Sequence, residues 1–98
     1  MFEWDPTKGR ANAAKHGVGF EEAATVFADQ AAMDGPDLKH SARGEERRLV
    51  VGKSIRGRTI VVAYTLRSGT DGQTIRIISA RPASRKERRS YEEGTASD

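Results

Sequence analysis

The chain has 98 residues, no cysteine, and 17 lysines and arginines against 14 aspartates and glutamates, for a net charge of +3. That length fits a single domain around one modest core, and the lack of cysteine excludes a disulfide framework or a thiolate metal site and suits a cytoplasmic protein. No apolar run approaches the roughly 20 residues that a membrane span needs, and "MFEWDPTKGR" lacks the charged-then-apolar pattern of a leader.

The first element is a helix over "WDPTKGRANAAKHGVGF". Asp5 is a good N-cap, Pro6 suits the first helical position, and Gly17 after Lys15 and His16 supplies a left-handed stop. Asn12 and His16, four apart, share a face. A second helix spans "FEEAATVF", with Phe20, Ala23, Ala24 and Phe27 as its buried stripe. Its start at Gly19 is weak, because glycine has no side chain to cap with. A short strand around Ala31 to Met33 follows, then a long polar loop.

Three strands come next. "RRLVVGKS" and "RTIVVAYTL" pair across a turn at Gly57, and "TIRIISAR" follows a turn containing Asp71 and Gly72. Short links make the three an antiparallel meander. Strict alternation places Ile75, Ile77, Ser79 and Arg81 on one face and Arg76, Ile78 and Ala80 on the other. Pro82 ends the strand. Ser84 and Glu87 form a capping box that starts a last helix, "ASRKERRSYEE". The expected architecture is α+β: two N-terminal helices, an antiparallel sheet of three to four strands and a C-terminal helix. Residues 1–93 form the domain and 94–98 a frayed tail. Phe20, Phe27, Leu49, Val51, Ile60, Val62, Ile75 and Ile77 recur at inward-facing periods and are the expected core.

The positive charge is concentrated. Residues 76–89 carry six basic groups (Arg76, Arg81, Arg85, Lys86, Arg88 and Arg89) and one acidic group, a balance of +5, while the rest of the chain carries −2. Such a patch suits phosphates or an acidic partner, and it also suits a merely solvated helix face.

Taken together, "FEWDPTK", "NAAKHGVGFEEA", "VFAD", "EERRLVVG" and "RIISARPASRKERRSYEE" resemble the BrnT family, small toxins of type II toxin–antitoxin pairs, from Phe2 to about Glu93. "KHGV" and "ISARPASRKER" are the most specific stretches. The resemblance implies a RelE-like fold, RNA cleavage that stops translation, and no cofactor. It also implies a BrnA-like antitoxin with a ribbon-helix-helix part, a two-plus-two complex, and repression of their own promoter by the complex.

Metal-free RNA cleavage needs a base for the 2′-hydroxyl, cations for the charge that develops on phosphorus, and an acid for the leaving oxygen. Arginine suits the second task, because its fork matches two phosphate oxygens. Arg81, at the strand end, is the favoured catalytic cation. Arg76 reads as a second catalytic cation or as an ion-pair partner across the sheet. His16 reads as an acid–base group or as a packing residue at the helix end. His40 reads as a mobile acid or base or as plain surface. Arg85, Lys86, Arg88 and Arg89 are the expected RNA contacts, and Arg81, Arg85, Lys86 and Arg88 the expected antitoxin contacts. Trp4 reads as a helix staple or a base-stacking platform, and Tyr64 and Tyr91 as core-edge residues or proton carriers. The scattered acids Asp29, Asp34, Asp37, Glu45 and Glu46 match no metal motif, so no metal is expected. A non-catalytic nucleic-acid-binding module, using the basic last helix, is the rival reading.

Overall fold

The computed structural model describes residues 1–41 and 46–96. The first helix, α1 (Pro6–His16), starts where Asp5 accepts hydrogen bonds from the Thr7 and Lys8 amides and stops at Gly17, whose φ of 72° is left-handed. A cap of this kind contributes about 1 kcal/mol. The second, α2 (Phe20–Thr25), has no side-chain cap and tightens into a 3₁₀ turn at Val26–Ala28. It is therefore shorter than its apolar stripe suggests.

Five strands form one mixed sheet: β1 (Phe2–Glu3), β2 (Met33–Pro36), β3 (Arg48–Lys53), β4 (Thr59–Gly69) and β5 (Gly72–Pro82), in the order β1-β5-β4-β3-β2. The expected meander is β3-β4-β5, antiparallel throughout. The expectation of an antiparallel sheet of three to four strands is corrected by β1, which lies parallel to β5. Two residues are too few to show a period, and tertiary pairing alone makes them a strand. The short strand expected at Ala31 to Met33 lies later, at Met33–Pro36. Asp29 holds Ala31 and Ala32 in a turn, accepting from both amides, and Pro36 is tolerated because β2 is an edge. The last helix, α3 (Arg85–Ala96), begins at the expected capping box and runs into the stretch read as tail.

Val18, Phe20, Ala23 and Val26 pack with Val50, Ile60, Val62, Tyr64, Ile77 and Ala80 to make the core. Each large aliphatic or aromatic side chain buried there contributes about 1.5–3 kcal/mol. Trp4 meets Phe20 edge-on at 6.1 Å and packs beside Gly9 of α1, where a Cβ would lie 3.5 Å from Trp4 Cδ1. Within β3 the inward residue is Val50, opposite Val62, so Leu49 and Val51 sit half-buried on the outer face, contrary to the expected core. Gly52 makes that register possible. A Cβ there would lie 2.9 Å from Ala32 Cβ and 3.0 Å from Val26 Cγ1.

The larger correction is in β5. Ala63 pairs with Ser79 and Tyr64 with Ile77, so Ile78 is an extra residue, a β-bulge. Ile77 and Ala80 therefore both face the helices, and Arg76, Ser79 and Arg81 share the outer face. Strict alternation had put Arg76 and Arg81 on opposite faces. Buried Asn12 secures this region from α1. Its side-chain nitrogen donates to the Val18 and Ala80 carbonyls at 2.9 and 2.8 Å, and its oxygen accepts from the Ala80 amide at 3.2 Å. The amide side chain thus takes the place of a neighbouring strand where β1 no longer covers β5. Asn12→Ala strands these backbone groups, each at a cost of about 1–3 kcal/mol, so urea denaturation should show a lower midpoint for the variant.

Candidate active site

The outer face of the sheet holds a cleft of about 420 Å³. Its floor is Leu49, Val61, Ala63 and Ser79, and its rim is Asp37, Lys39, His40, Arg47 and Arg81. Three strands supply the floor, because β3, β4 and β5 bring Leu49, Ala63 and Ser79 into one row across the sheet. Lys39, Arg47 and Arg81 bring three cations to the rim, against the carboxylates of Asp37 and of Glu87 beside Arg81, so the balance suits an anion, and the floor is aliphatic.

Arg81 is fixed in place. Its Nη1 and Nη2 donate to Glu87 Oε1 and Oε2 at 2.7 and 2.8 Å, a bidentate pair joining the end of β5 to the first turn of α3. Glu87 also accepts from the Ser84 amide at 2.8 Å, and its own amide donates to Ser84 Oγ at 3.1 Å. One carboxylate therefore caps the helix and holds the guanidinium. The hydrogen bond from Arg81 is the main cause that brings the Glu87 carboxyl down to about 2, against the opposing effect of burial.

The opposite rim is organised by Asp37, a buried residue in the loop after β2. Its amide donates to the Arg47 carbonyl at 2.8 Å, and its carbonyl accepts from Ser41 Oγ at 2.8 Å. Ser41 Oγ in turn accepts from the Arg47 amide at 3.2 Å. The Asp37 carboxylate faces His40 Nδ1, with oxygens at 3.0 and 3.2 Å.

Of the residues singled out in the sequence, Arg81 alone among Arg81, Arg76 and His16 lines this cleft. Arg76 shares the outer face but pairs with Thr65, four residues along β4 from the Val61 opposite Arg81, or about 13 Å. There its Nη1 donates to Glu3 at 2.6 Å, an ion pair across the sheet between β5 and β1. His16 closes α1, the helix that packs on β5 through Asn12. Arg85, Lys86, Arg88 and Arg89 are exposed along α3.

Both tyrosines are buried and donate to carboxylates. Tyr64 donates to Asp34, and burial with that bond raises its hydroxyl to about 12. Tyr91 donates to Asp29, and burial with that bond also raises it to about 12. Burial pushes the Asp29 carboxyl up, but bonds from Tyr91, Lys53 and Ala31 outweigh it and leave it below its usual range. Glu22 is held below its usual range chiefly by the Arg58 hydrogen bond. Lys39, Arg47 and the Asp37–His40 pairing were not foreseen as one site. The signal available was an acid three residues before a histidine in a polar loop. Among the described residues no three acidic, histidine or cysteine side chains converge as metal ligands, and Glu45 lies outside those residues.

A sequence model of the family described as "Ribonuclease toxin, BrnT, of type II toxin-antitoxin system" matches residues 4–87. No curated protein matches. Among solved structures, the fold is similar to the crystal structure of the Brucella abortus ribonuclease toxin BrnT. The TM-score is 0.61 at 24% identity, over 87% of this chain and 99% of that one.

The Arg81–Glu87 pair makes a prediction for acid stability. The carboxyl titrates lower in the folded chain than in the unfolded one. Its contribution is therefore fully present above the unfolded value of about 4.3 and is lost as pH falls towards about 2. Glu87→Gln should lower Tm at neutral pH, and the gap from wild type should narrow across that acidic window in calorimetric melts.

Proposed function

The chain belongs to the BrnT family, ribonuclease toxins of type II toxin–antitoxin systems, and on that footing we propose that it is a metal-independent endoribonuclease whose catalytic centre is the cleft bounded by Arg81. The carrying observation is the guanidinium of Arg81, locked by Glu87 at the edge of a cleft whose rim also carries Lys39 and Arg47. A fixed donor stabilises charge as it develops on a phosphate without first having to reorganise. Arg81 keeps N–H groups beyond the two bonded to Glu87, since a guanidinium has five donors. Arg47 and Lys39 draw the RNA backbone to the same cleft, and the aliphatic floor shelters a neighbouring sugar or base. Arg76 and His16, away from this cleft, are assigned structural work.

The cleaved strand leaves the site along α3, where exposed Arg85, Lys86, Arg88 and Arg89 attract phosphates without fixing them. A type II toxin implies an antitoxin partner. In the proposed arrangement that partner is a BrnA-like protein with a ribbon-helix-helix part, in a two-plus-two complex that represses its own promoter. It covers the cleft and the basic corner, pairing acidic groups with Arg81, Arg85, Lys86 and Arg88 over at least ~800 Å² on each side. Free toxin acts in the cytoplasm by cutting RNA in a RelE-like manner and halting translation. No helix among the described residues is long and apolar enough to cross a membrane.

The test is single-turnover cleavage of RNA by the purified chain, freed of antitoxin and in EDTA. Arg81→Ala should slow cleavage at saturating RNA by about a hundredfold or more, and Arg81→Lys should restore only part, keeping the charge without the fork. Arg88→Ala or Arg89→Ala should weaken binding and flatten its salt dependence, with cleavage at saturation nearly normal. Salt-sensitive binding with no cleavage by the wild type would favour the non-catalytic module, and full-rate cleavage by a folded Arg81→Ala would remove Arg81 from the mechanism.

A further inference from the structure

We propose that the Asp37–His40 pair is the proton-accepting half of this site, with His40 Nε2 as the general base. The inference deepens the ribonuclease reading and rests on it. Asp37 is buried with its side chain 9% exposed, whereas the His40 side chain is 63% exposed on the cleft rim. A carboxylate only accepts hydrogen bonds, so the 3.0 and 3.2 Å contacts require the proton of a neutral imidazole to sit on Nδ1. Nε2 is then left with a free lone pair, the form a general base needs.

The backbone around Asp37 is tied on both sides, to Arg47 and to Ser41, so the carboxylate that orients the ring is held firmly. The Asp37 backbone is thus held through its own amide and carbonyl, while its buried carboxylate is turned to the exposed ring. The charged groups that share the cleft with the ring are Asp37 itself, Lys39, Arg47 and Arg81. Asp37 faces the Nδ1 side of the ring, and the other charged groups lie around the same cleft.

The step balances without any further reagent. The 2′-hydroxyl gives its proton to Nε2, and O2′ forms a bond to the adjacent phosphorus. Charge grows on the non-bridging oxygens near Arg81, the P–O5′ bond breaks, and O5′ takes a proton from water. The products are a 2′,3′-cyclic phosphate end and a 5′-hydroxyl end, and His40 returns its proton to solvent. His40 touches the reacting atoms in this scheme, and Asp37 is a positioning residue that acts through it.

Four proteins are compared by single-turnover RNA cleavage in EDTA across pH: wild type, His40→Ala, Asp37→Asn and Arg81→Ala. Thermal melts check that each is folded. The wild-type rate should rise with pH through one ionisation, because the base must be unprotonated. His40→Ala should lose that limb and about a hundredfold or more in rate, bind RNA as tightly as wild type, and recover activity when imidazole is added. Asp37→Asn should also lose rate, since an amide can present a donor to Nδ1 and turn the free lone pair away from substrate. His40→Gln serves if His40→Ala does not fold, with the same expected loss. Cleavage by His40→Ala at the wild-type rate, alongside a disabled Arg81→Ala, overturns the base assignment and leaves the ribonuclease reading intact. Rate loss in His40→Ala that imidazole does not restore and that leaves the pH limb in place also overturns it. A wild type that cuts no RNA overturns both.

Discussion

One extra residue in β5 sets the geometry on which the outer face depends. Without the bulge at Ile78, the alternation begun by Ile75 and Ile77 would bring Arg81 inward and send Ala80 out. A guanidinium would then lie among Val62, Ile60 and Phe20, at the cost of a buried, unpaired charge. The bulge lets one strand serve two needs. Ile75 and Ile77 pack on the helices in its first half, and Ala80 does so in its second, with Ser79 and Arg81 facing the cleft. A bulge re-aims the side chains that follow it, and this one turns Ser79 and Arg81 to the cleft. Asn12 secures the strand beyond the bulge, because its amide satisfies both backbone groups of Ala80.

Polar tethers, rather than an apolar stripe, place the elements around the cleft. The segment Arg85–Ala96 is almost without aliphatic side chains, yet α3 is anchored at its first turn by Glu87 and in its middle by Tyr91. Glu87 and Tyr91, four apart, occupy the same face of the helix, and this leaves Arg85, Lys86, Arg88 and Arg89 to solvent. The loop on the other side of the cleft is treated likewise, with Asp37 as its fixed point. Hydrogen bonds are directional where apolar contact is not, and a site that must place charges to within a fraction of an ångström gains from that.

The two faces of the sheet differ in character. The inward face carries the apolar core, along with buried Glu22 held by Arg58 and Ser54. On the outward face no helix among the described residues lies over Leu49, Val61 and Ala63; Val61 and Ala63 are nonetheless buried at the bottom of the cleft, beneath its charged rim. Family membership states that proteins of this kind are ribonuclease toxins. The geometry shows how a chain this small combines an apolar core on one face of its sheet with a charged cleft on the other.

By itself the sequence determined the elements whose causes are local. The cap at Asp5, the stop at Gly17, the box of Ser84 and Glu87, the meander of three strands and the concentration of arginine near the strand end all follow from neighbours in the chain. The family resemblance was legible for the same reason, being carried by contiguous motifs. What only the tertiary structure decided depends on distant partners. β1 exists because β5 offers an edge, and Val50 rather than Leu49 faces inward because Gly52 lets Val26 and Ala32 approach. The bulge at Ile78 breaks a period that the residues alone present as regular. His40 is an ordinary polar-loop histidine until folding sets it on the rim of the cleft that Arg81 also lines, and no spacing rule links positions 40 and 81 across three strands.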